Sequence, residues 1–589
     1  MAARYLALLG ADTPDGQIAA SRVRAACGRR ADLGVAIDQS DLLLITTSDM
    51  PALPVGRDEG AVLGQLYARS TGARVERLDG GWKHAIPVSN GAALVEDFWG
   101  SYVAFVRGAR SRQWSVVRAP FGALPCLVAR LGTAVLVASD MALLALAGWI
   151  PQGLAWDQVA AHLAMRDLRR AATCLIGVEE LLGGDRMTLA EGKVLIDRIW
   201  TPWNHASDGA SGASRANAVE AVRAAVMDAV HSTVSCAAHP LLLLSGGLDS
   251  SIVAASLAAI ERPFSCLNLA STGAIGDERH YARLVSEALG VELIEAQWDV
   301  RDVDVRRSAA AAMPNPSARS FMQASDRLTR AAAAKVGADL ILDGGGGDNV
   351  FCALQSAAPI ADALLRGETL RETLAVAGTM ARLAQTSVSD VMLRAVRRAF
   401  LRSAAYRWPT ELHLLSRAAR SGASHVAAHP WLEPPRGSAP GTAAHIAMLV
   451  AAQSWAEVGE PRALASASPL VAQPVIEACL RVPSWWWFSE HGNRAIAREA
   501  FERMLPDETL KRSSKGSPDS FVAELFELNR PLLRAMLLDG KLRAQGILDV
   551  QAVEQVLADP RPAHGADYRR ILRLADVEAW AMNWTAAIP

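Results

Sequence analysis

Residues 241–260, LLLLSGGLDSSIVAASLAAI, constrain the fold of this chain more than any other stretch. The four consecutive leucines predict a short strand in the buried centre of a parallel sheet, and the apolar run after residue 251 predicts a helix. Between them, the adjacent Gly246 and Gly247 let the backbone approach a ligand closely. A strand-to-helix turn also directs free N–H groups and the positive end of the helix at an anion. The pattern predicts a phosphate-binding turn in an α/β domain.

The turn differs from the common phosphate loop, because neither GxxxxGKS nor GxxxxGKT occurs in the sequence. Ser-Gly-Gly-x-Asp-Ser is the pyrophosphate loop of enzymes that cleave ATP between the α and β phosphates and adenylate a carboxylate. In this interpretation Asp249 supplies oxygen to Mg²⁺. The pyrophosphate is held by backbone and hydroxyl donors of Ser245, Gly246, Gly247, Ser250 and Ser251. The alternative is an ordinary turn whose Asp and Ser cap the helix, but the complete SGGLDSS string favours the nucleotide site.

A second glycine-rich segment, DGGGGD, follows another short apolar run. Four consecutive glycines are costly to order, so they predict that the backbone approaches something closely at this point. Asp348 is the natural second carboxylate for Mg²⁺ beside Asp249, and Asp343, Gly344 and Gly345 are candidate nucleotide contacts. The alternative is a glycine-rich surface turn.

Further along, KRSSKGSP places Arg512 and Lys515 in a polar loop. Adenylation needs cations that neutralise the oxygens of ATP and of the acyl intermediate. A lysine in such a loop is usually no more than solvated. Lys515 is therefore a candidate only in combination with the two glycine-rich segments.

Length and composition bound the class of protein. At 589 residues the chain is too long for one core, which predicts two to four domains. A net charge of −1 gives no electrostatic footprint for nucleic acid or an anionic membrane. Seven cysteines occur singly, with no CxxC pair, which favours a reducing compartment over a disulfide framework or a zinc cluster. The start lacks a signal-peptide pattern, and the apolar window 131–149 contains Asp140, so a cytoplasmic location is expected.

Two patterns of secondary structure divide the chain. Up to about residue 205, short apolar segments joined by Gly, Ser or Arg turns predict antiparallel hairpins, and DGASGAS (208–214) predicts a flexible linker. Beyond it, strands and helices alternate, which predicts a parallel sheet with ligands at the carboxyl ends of its strands. Residues 353–589 are mostly helical in pattern. The expected domains are 1–205 and 206–589.

The order of five motifs resembles the synthetase domain of the asparagine synthetase B superfamily. They are SGGLDSS, GDERHYARLVSEALG (276–290), DGGGGDNVF, SPLVAQPVIEACLRVPS (468–484) and RSSKG (512–516), and the match runs from about 215 to 525. The resemblance implies a parallel α/β ATP-pyrophosphatase fold with ATP and Mg²⁺ as cofactors. It implies that Asp249 and Asp348 are catalytic metal ligands and that Lys515 is the catalytic lysine. It also implies that the adenine is lined by Leu243, Leu267 and Leu269.

The amino-terminal half is similar to the class II glutaminase domain, an Ntn-type αββα fold. The similarity lies in WGSYVAFVRG, VVRAPFGALPCLVAR, VASDMALLAL and GVEELLGGDRMTL. Glutaminases of that class use a cysteine as the first residue after Met1, whereas this chain has Ala2 there. The nearest cysteine, Cys27, lies in a predicted helix. The expectation is a degenerate glutaminase-like domain without glutaminase activity.

Two departures narrow the resemblance. Where asparagine synthetases have Gly-Glu-Gly-x-Asp-Glu, this chain has GGGGDN, with Gly345 at the acidic position. Their E-x-R-x-P-F-L-D string aligns with ASASPLVA (465–472), in which each charged position is Ala. A pocket without those charges suits a larger, less polar substrate. The aromatic run 485–488 predicts either a core or a wall that holds such a substrate. These features are most similar to the macrolactam synthetases that close the ring of lasso peptides.

Lasso cyclases adenylate an Asp or Glu side chain of a precursor core peptide and join it to the peptide's amino terminus, giving a macrolactam, AMP and pyrophosphate. The implied partners are the core peptide, a leader peptidase and a leader-recognition protein, with no nucleic acid and no membrane. Two alternatives stay open. One is another amide-forming synthetase, of β-lactam type or an ammonia-dependent asparagine synthetase, and the uncharged 465–472 segment counts against it. The other is a nucleotide-binding regulatory pseudoenzyme, and the retained Asp249, Asp348 and Lys515 count against that.

Overall fold

The structure is a computed structural model that describes residues 3–190, 192–206, 214–271, 273, 276–317, 319, 322–423, 426–456, 464–512 and 516–587. The predicted linker lies outside these residues, except for Ser214. The described part of the first half forms strands β1 (Tyr5–Leu9), β2 (Leu33–Asp38), β3 (Leu42–Thr47), β4 (Ala52–Pro54), β5 (Gly60–Ala68), β6 (Phe98–Arg107), β7 (Trp114–Arg118), β8 (Leu127–Leu131), β9 (Ala134–Ala138), β10 (Val178–Glu180), β11 (Asp185–Ala190) and β12 (Lys193–Arg198).

These strands build two antiparallel sheets, in the orders β10-β8-β9-β1-β3-β2 and β12-β11-β7-β6-β5-β4. The first half also contains helices α1 (Pro14–Cys27), α2 (Trp82–Val88), α3 (Ala93–Asp97), α4 (Met141–Leu146) and α5 (Trp156–Ala164). Side chains alternate along each strand, so Tyr5 and Ala7 of β1 pack between the sheets while Leu6 and Leu8 pack outward against α1 and α4. Ile86 of α2 packs on the outer side of the second sheet. The resulting order of helix, sheet, sheet and helix agrees with the αββα arrangement that the resemblance implies.

The second half contains the parallel sheet that the strand–helix alternation predicts. Its strands are β13 (Pro240–Leu243), β14 (Ser265–Ala270), β15 (Glu292–Gln297), β16 (Leu340–Leu342) and β17 (Ala465–Ala467), in the order β15-β14-β13-β16-β17. All four pairings are parallel. Since the carboxyl ends of parallel strands meet at one edge of the sheet, both glycine-rich segments, which follow β13 and β16, lie at that edge.

Helices surround this sheet and make up most of the remaining described chain. They are α6 (Arg215–Val234), α7 (Leu248–Ala259), α8 (Arg279–Leu289), α9 (Met322–Val336), α10 (Gly347–Val350), α11 (Ala358–Arg366), α12 (Leu370–Leu383), α13 (Val388–Phe400), α14 (Arg417–Ala423), α15 (Pro440–Ala456), α16 (Gln473–Leu480), α17 (Ala495–Ala500), α18 (Asp507–Lys511), α19 (Asp519–Leu538), α20 (Lys541–Ala544), α21 (Val550–Ala558) and α22 (Asp567–Ala587). A small hairpin of β18 (Phe488–Ser489) and β19 (Gly492–Asn493) precedes α17.

Glu477 of α16 joins the two halves. Its carboxylate is 2% exposed and accepts hydrogen bonds from Arg69 (2.8 and 2.5 Å), Trp200 Nε1 (3.0 Å) and Gln473 Nε2 (2.9 Å). One hydrophobic cluster also extends from Phe98 in the first half into the second. The two halves therefore pack as one body around a shared core.

Two sequence hypotheses about apolar segments are decided by the fold. The window 131–149 forms β9 and α4, with Asp140 as the N-cap that accepts a hydrogen bond from the Leu143 N–H (3.1 Å), as a core strand and helix would. Trp487 is completely buried, and Trp485 and Phe488 nearly so, which makes the 485–488 run part of the core and its role as a substrate wall wrong. None of the described helices is both long and apolar enough to cross a bilayer.

Candidate active site

The pyrophosphate loop connects β13 to α7 and leaves the amino-terminal end of the helix free. Gly247 is the N-cap residue, and among the described residues no side chain caps the first turn, although Asp249 lies in it. The alternative in which the Asp and Ser of SGGLDSS only cap the helix is therefore wrong. The positive end of α7 remains open to an anion.

Gly246 is required by the packing of the loop against α8. Its φ is +69°, and an added Cβ would lie 2.4 Å from the carbonyl carbon of Tyr281 and 2.5 Å from the nitrogen of Ala282. No side chain fits in that space. The GDERHYARLVSEALG motif, which forms most of α8, thus supports the loop from behind.

The three serines of the loop have different surroundings. Ser250 Oγ accepts from the Ser245 N–H (3.3 Å) and donates to the carbonyl of Gly247 (3.2 Å), while Ser245 Oγ accepts from the Gly247 N–H (3.2 Å). Ser245 and Ser250 therefore hold the shape of the turn. The buried hydroxyl of Ser251 has no hydrogen-bond partner among the described residues, and it remains a candidate donor to a ligand oxygen.

The DGGGGD segment lies directly against the pyrophosphate loop. A Cβ on Gly344 would be 2.5 Å from the nitrogen of Ser250, and one on Gly347 would be 2.4 Å from Cγ of Asp249. Gly346 has a φ of +80°, in the left-handed region. The predicted close approach of this backbone is confirmed, and what it approaches is the other glycine-rich loop.

Asp343 fixes the start of this segment. Its Oδ1 accepts from the Gly345 N–H (2.8 Å) and from the hydroxyl of Ser468 (2.5 Å). Ser468 directly follows β17, so the carboxylate ties the glycine segment to the uncharged 465–472 stretch. A Cβ on Gly346 would also meet the side chain of Val471 at 2.2 Å. The two departures from the asparagine-synthetase pattern therefore lie in contact with each other.

A guanidinium that sequence reasoning missed joins the two predicted metal ligands. Arg494 Nη1 lies 3.1 and 3.2 Å from the two carboxylate oxygens of Asp249 and 2.7 Å from Oδ1 of Asp348. Its side chain is 15% exposed. Arg494 also has a φ of +58°, which is uncommon for a residue with a side chain and costs about 1–3 kcal/mol. The turn between β19 and α17 thus holds a strained residue whose charge is directed at both aspartates.

The donor set fits Mg²⁺. Magnesium that bridges phosphates takes one or two protein carboxylates, with water and phosphate oxygens completing its octahedron at about 2.0–2.1 Å. Asp249 and Asp348 are close enough to share one nitrogen atom, so they are positioned to share one small cation. Asp249 and Asp348 would hold the metal, and the guanidinium of Arg494 now stands between them. Their role as metal ligands stays a prediction.

The RSSKG segment is fixed at both ends by Glu278. The carboxylate oxygen Oε1 accepts from Arg512 Nη2 (2.7 Å) and from the Gly516 N–H (3.0 Å). The Arg512 guanidinium also stacks 4.0 Å from the ring centre of Tyr281, next to the pyrophosphate loop. Lys515, the predicted catalytic lysine, lies outside the described residues.

Arg498 connects this segment to the turn that carries Arg494. Its guanidinium donates to the carbonyls of Asn493 (3.1 Å), Leu510 and Arg512 (3.3 Å). Burial, with the nearby charge of Arg494, lowers the pKa of Arg498 to about 10, so it remains cationic at neutral pH. Three arginines thus lie along one side of the predicted nucleotide site.

The predicted adenine contacts lie on adjacent strands. Leu243 of β13 is in register with Leu267 of β14, and Leu269 follows two residues later on the same face. Leu267 is 1% exposed, whereas Leu243 and Leu269 are partly exposed. Leu243 and Leu269 are therefore available for an aromatic ring, with Leu267 packed beneath. Their contact with adenine stays a prediction.

A cavity of about 1190 Å³ reaches this site from the amino-terminal half. Its walls include Trp99 of β6 and Phe121 of the loop after β7, with Asp343, Ser466 and Ser468 from the second half. The start of the described chain also lines it: Ala3 and Arg4, whose guanidinium pairs with Asp140 (2.5 Å). Ala2 lies outside the described residues. The cavity therefore connects the region where a glutaminase nucleophile would lie with the glycine-rich segment.

Cysteines in the described amino-terminal half are poorly suited to replace that nucleophile. Burial raises the pKa of the Cys126 and Cys174 thiols to about 12. Desolvation also raises the pKa of Cys27, which lies in α1 as predicted. A thiol with a raised pKa is a weak nucleophile at neutral pH.

Together, the parallel sheet, the uncapped helix and the paired aspartates define a nucleotide site of the α/β class. A family model described as asparagine synthase matches residues 221–582, more than half of the sequence, and the chain belongs to this family. Membership implies ATP-dependent amide-bond formation.

Comparisons with individual proteins add little. A search of curated proteins finds no match. Among solved structures, the chain is similar to the B. subtilis glutamine phosphoribosylpyrophosphate amidotransferase complexed with ADP and GMP, with 10% identity, 50% of this chain and 81% of that chain covered, and a TM-score of 0.21. A structure titled as the allosteric regulatory enzyme of purine biosynthesis gives 10% identity, coverages of 50% and 80%, and the same TM-score. At such scores neither likeness bears on fold or function.

Proposed function

We propose that this protein is an ATP-dependent peptide cyclase of the lasso type. It adenylates the side-chain carboxyl of an Asp or Glu in a precursor core peptide and releases pyrophosphate. The peptide's amino-terminal nitrogen then attacks the acyl carbon, the bond to AMP breaks, and one proton leaves the amine as the amide forms. The product is a macrolactam joined by an isopeptide bond.

The observation that carries this proposal is the size of the cavity beside the nucleotide loops. Pockets for small ligands occupy about 300–1,000 Å³, and this cavity of about 1190 Å³ exceeds that range. The segment where it meets the glycine loop is Ala-Ser-Ala-Ser (465–468), which offers no charge to hold a free amino acid. A peptide fits the volume and the loss of charge in this segment better than aspartate does, and charged side chains such as Arg166 and Asp326 line other parts of the cavity.

The residues of the site supply binding and charge. The open end of α7 and the loop N–H groups receive phosphate oxygens. Arg494 and Arg512 hold positive charge along one side of the site, and such fixed charges stabilise the negative oxygens that develop in acyl transfer. Bound Mg²⁺, held by Asp249 and Asp348, would neutralise phosphate charge and orient the triphosphate. Lys515 is proposed as the catalytic lysine.

The amine needs little activation. A peptide α-amine has a pKa near 8, so a useful fraction is neutral at pH 7 to 8. What the enzyme must supply is proximity between the amine and the acyl adenylate, and exclusion of water that would hydrolyse it. A walled cavity made by both halves of the chain provides such an enclosure. The glutaminase-like half thus serves as a wall, without hydrolysing glutamine.

All seven cysteines are free thiols, which supports a cytoplasmic setting for the reaction. We further propose that a leader peptidase and a leader-recognition protein deliver the core peptide. Both partners follow from the lasso assignment and are included in the test.

The test uses the full-length protein with ATP, Mg²⁺ and synthetic precursor peptides whose core contains an Asp or Glu, with a leader peptidase and a leader-recognition protein added. We expect AMP, pyrophosphate and a peptide lighter by one water molecule that resists aminopeptidase. Formation of ADP would overturn the assignment. Pyrophosphate release with aspartate and ammonium but not with peptide would show an asparagine synthetase, and no release with any acceptor would show a pseudoenzyme.

A further inference from the structure

Strand β17 forms an edge of the parallel sheet, and one side of its backbone faces the cavity. It pairs with β16 on one side, and the described residues place no strand on its other side. Residues on both sides of the strand, from Leu464 to Ser468, line the cavity. An edge strand presents unpaired N–H and C=O groups that another chain can bind.

The register identifies which residue presents these groups. The Asp343 N–H donates to the carbonyl of Ala467 (3.3 Å), so the backbone of Ala467 faces β16. Because backbone groups alternate in direction along a strand, the N–H and C=O of Ser466 face the opposite way, into the cavity. One donor and one acceptor are thus directed at whatever occupies that space.

The strand also lacks features that usually block an edge. Natural edges carry charged side chains or proline to prevent pairing, and β17 reads Ala-Ser-Ala. Its first two residues are exposed and the third is partly exposed. Small side chains let a second backbone approach to the strand spacing of about 4.8 Å. The edge is open on the side where the cavity provides room.

The direction of β17 connects this edge to the chemistry. Its carboxyl end leads into Ser468, whose hydroxyl donates to Asp343 (2.5 Å) in the glycine segment beside Asp348. A chain paired along β17 therefore has one end at the nucleotide loops and its remainder in the cavity. Strand addition orients a peptide through main-chain hydrogen bonds, so it does not depend on charged side chains in β17.

We propose that the substrate peptide binds as an added β-strand on the edge formed by Ala465–Ala467, through the backbone of Ser466. This inference rests on the proposed function, since it names how the peptide of that reaction is held. It also accounts for the loss of charge in the 465–472 segment: recognition through the backbone needs an open edge and small side chains more than charged groups.

The first test compares Ser466→Pro with Ser466→Ala. Proline removes the outward N–H and leaves the pairing of its neighbours with β16 in place, whereas alanine removes only the hydroxyl. We expect Ser466→Pro to raise KM for the peptide about tenfold or more with the KM for ATP unchanged, and Ser466→Ala, which keeps the N–H, to raise the KM for the peptide far less. Equal rises in both variants would assign the effect to the hydroxyl and overturn strand addition.

A second test needs no variant, in case Ser466→Pro folds poorly. The peptide that supports pyrophosphate release by wild type is N-methylated at one backbone nitrogen at a time. Because Ser466 presents one carbonyl acceptor, strand pairing predicts that KM rises for methylation at one position and stays low for its two neighbours, whose N–H groups face away from β17. A flat profile, or equal rises at adjacent positions, would overturn the inference while leaving the proposed function standing. If no peptide supports pyrophosphate release at all, the proposed function fails and the inference fails with it.

Discussion

Glu278 offers the sharpest test of how the site is assembled. One oxygen of its carboxylate holds both Arg512 and the Gly516 N–H, at 2.7 and 3.0 Å. Arg512 is 6% exposed, so water can hardly solvate its guanidinium if the carboxylate of Glu278 is lost. Glu278→Gln keeps the shape and an acceptor oxygen but removes the negative charge. Hydrogen bonds to charged groups contribute about 1.5–3 kcal/mol, which predicts a fall in kcat/KM of roughly 10- to 150-fold.

The assay is pyrophosphate release at saturating ATP, with hydrogen exchange followed over residues 510–517. We expect faster exchange there in Glu278→Gln, because the segment loses its anchor, and an unchanged midpoint of global unfolding. Glu287→Gln is the matched control, since Glu287 is an exposed glutamate at the other end of the same helix. Wild-type kcat/KM in Glu278→Gln would refute the reasoning that this carboxylate positions the RSSKG segment for catalysis.

Three further predictions concern charge. Asp249→Asn and Asp348→Asn should each abolish pyrophosphate release while circular dichroism stays native, because both residues lie in the first turns of helices beside the ligand site and each change keeps the size of the side chain; turnover near wild type would remove the metal assignment. Arg494→Ala removes the guanidinium that the two aspartates share, which then no longer competes with Mg²⁺ for their charges. Adding Mg²⁺ should therefore raise the Tm of the variant more than the Tm of wild type. Equal rises would place the metal elsewhere. Burial raises the pKa of Asp576 to about 7, so its folded pKa exceeds its unfolded value and stability is lost as pH rises from about 4 through 7. Asp576→Asn should therefore be more stable than wild type by an amount on the order of 4 kcal/mol at pH 8 and by only about 1–2 kcal/mol at pH 5, as chemical denaturation at the two pH values would show.

Strands that are apolar over their whole length can be predicted from the sequence. Strands whose residues fit only through contact with adjacent strands cannot. The run 5–9 forms β1 and the run 134–138 forms β9, because each is apolar over its whole length. The apolar run 124–129 is typical of a strand, but strand β8 lies at Leu127–Leu131, since Pro125 interrupts the ladder near the start of the run. Strand β5 has a weak pattern in the sequence because Gly60 and Gly64 interrupt it, and both glycines fit only through close contact with β6.

The candidate site also has residues that the sequence predicts and residues that only the fold reveals. The glycines at 344 and 347 predict a close approach of the backbone, because ordering a glycine costs more conformational entropy than ordering other residues. A run of glycines therefore indicates a structural requirement that is visible in the sequence itself. Arg494 gave no such signal, because an arginine after a hairpin is common and its strained φ appears only when the turn is folded. Two carboxylates brought together repel each other, and a positive charge nearby relieves that repulsion. The sequence predicted the two carboxylates, and electrostatics alone then favours a cation between them, although only the fold shows that the cation is Arg494.

The uncharged stretch 465–472 indicates how a site changes when its substrate changes. Removing charges from a pocket lowers its affinity for a small charged substrate. The affinity for a new substrate must then come from other contacts. In this chain the same stretch is an open sheet edge, and the adjoining cavity extends to the start of the chain, where Arg4 pairs with Asp140. Backbone pairing on Ser466 and a large enclosure can supply that affinity without charged side chains in this stretch. Ala467→Arg restores a charge in this stretch. It should therefore lower kcat/KM for the peptide without making aspartate a substrate, because the position of Gly345 still has no acidic side chain.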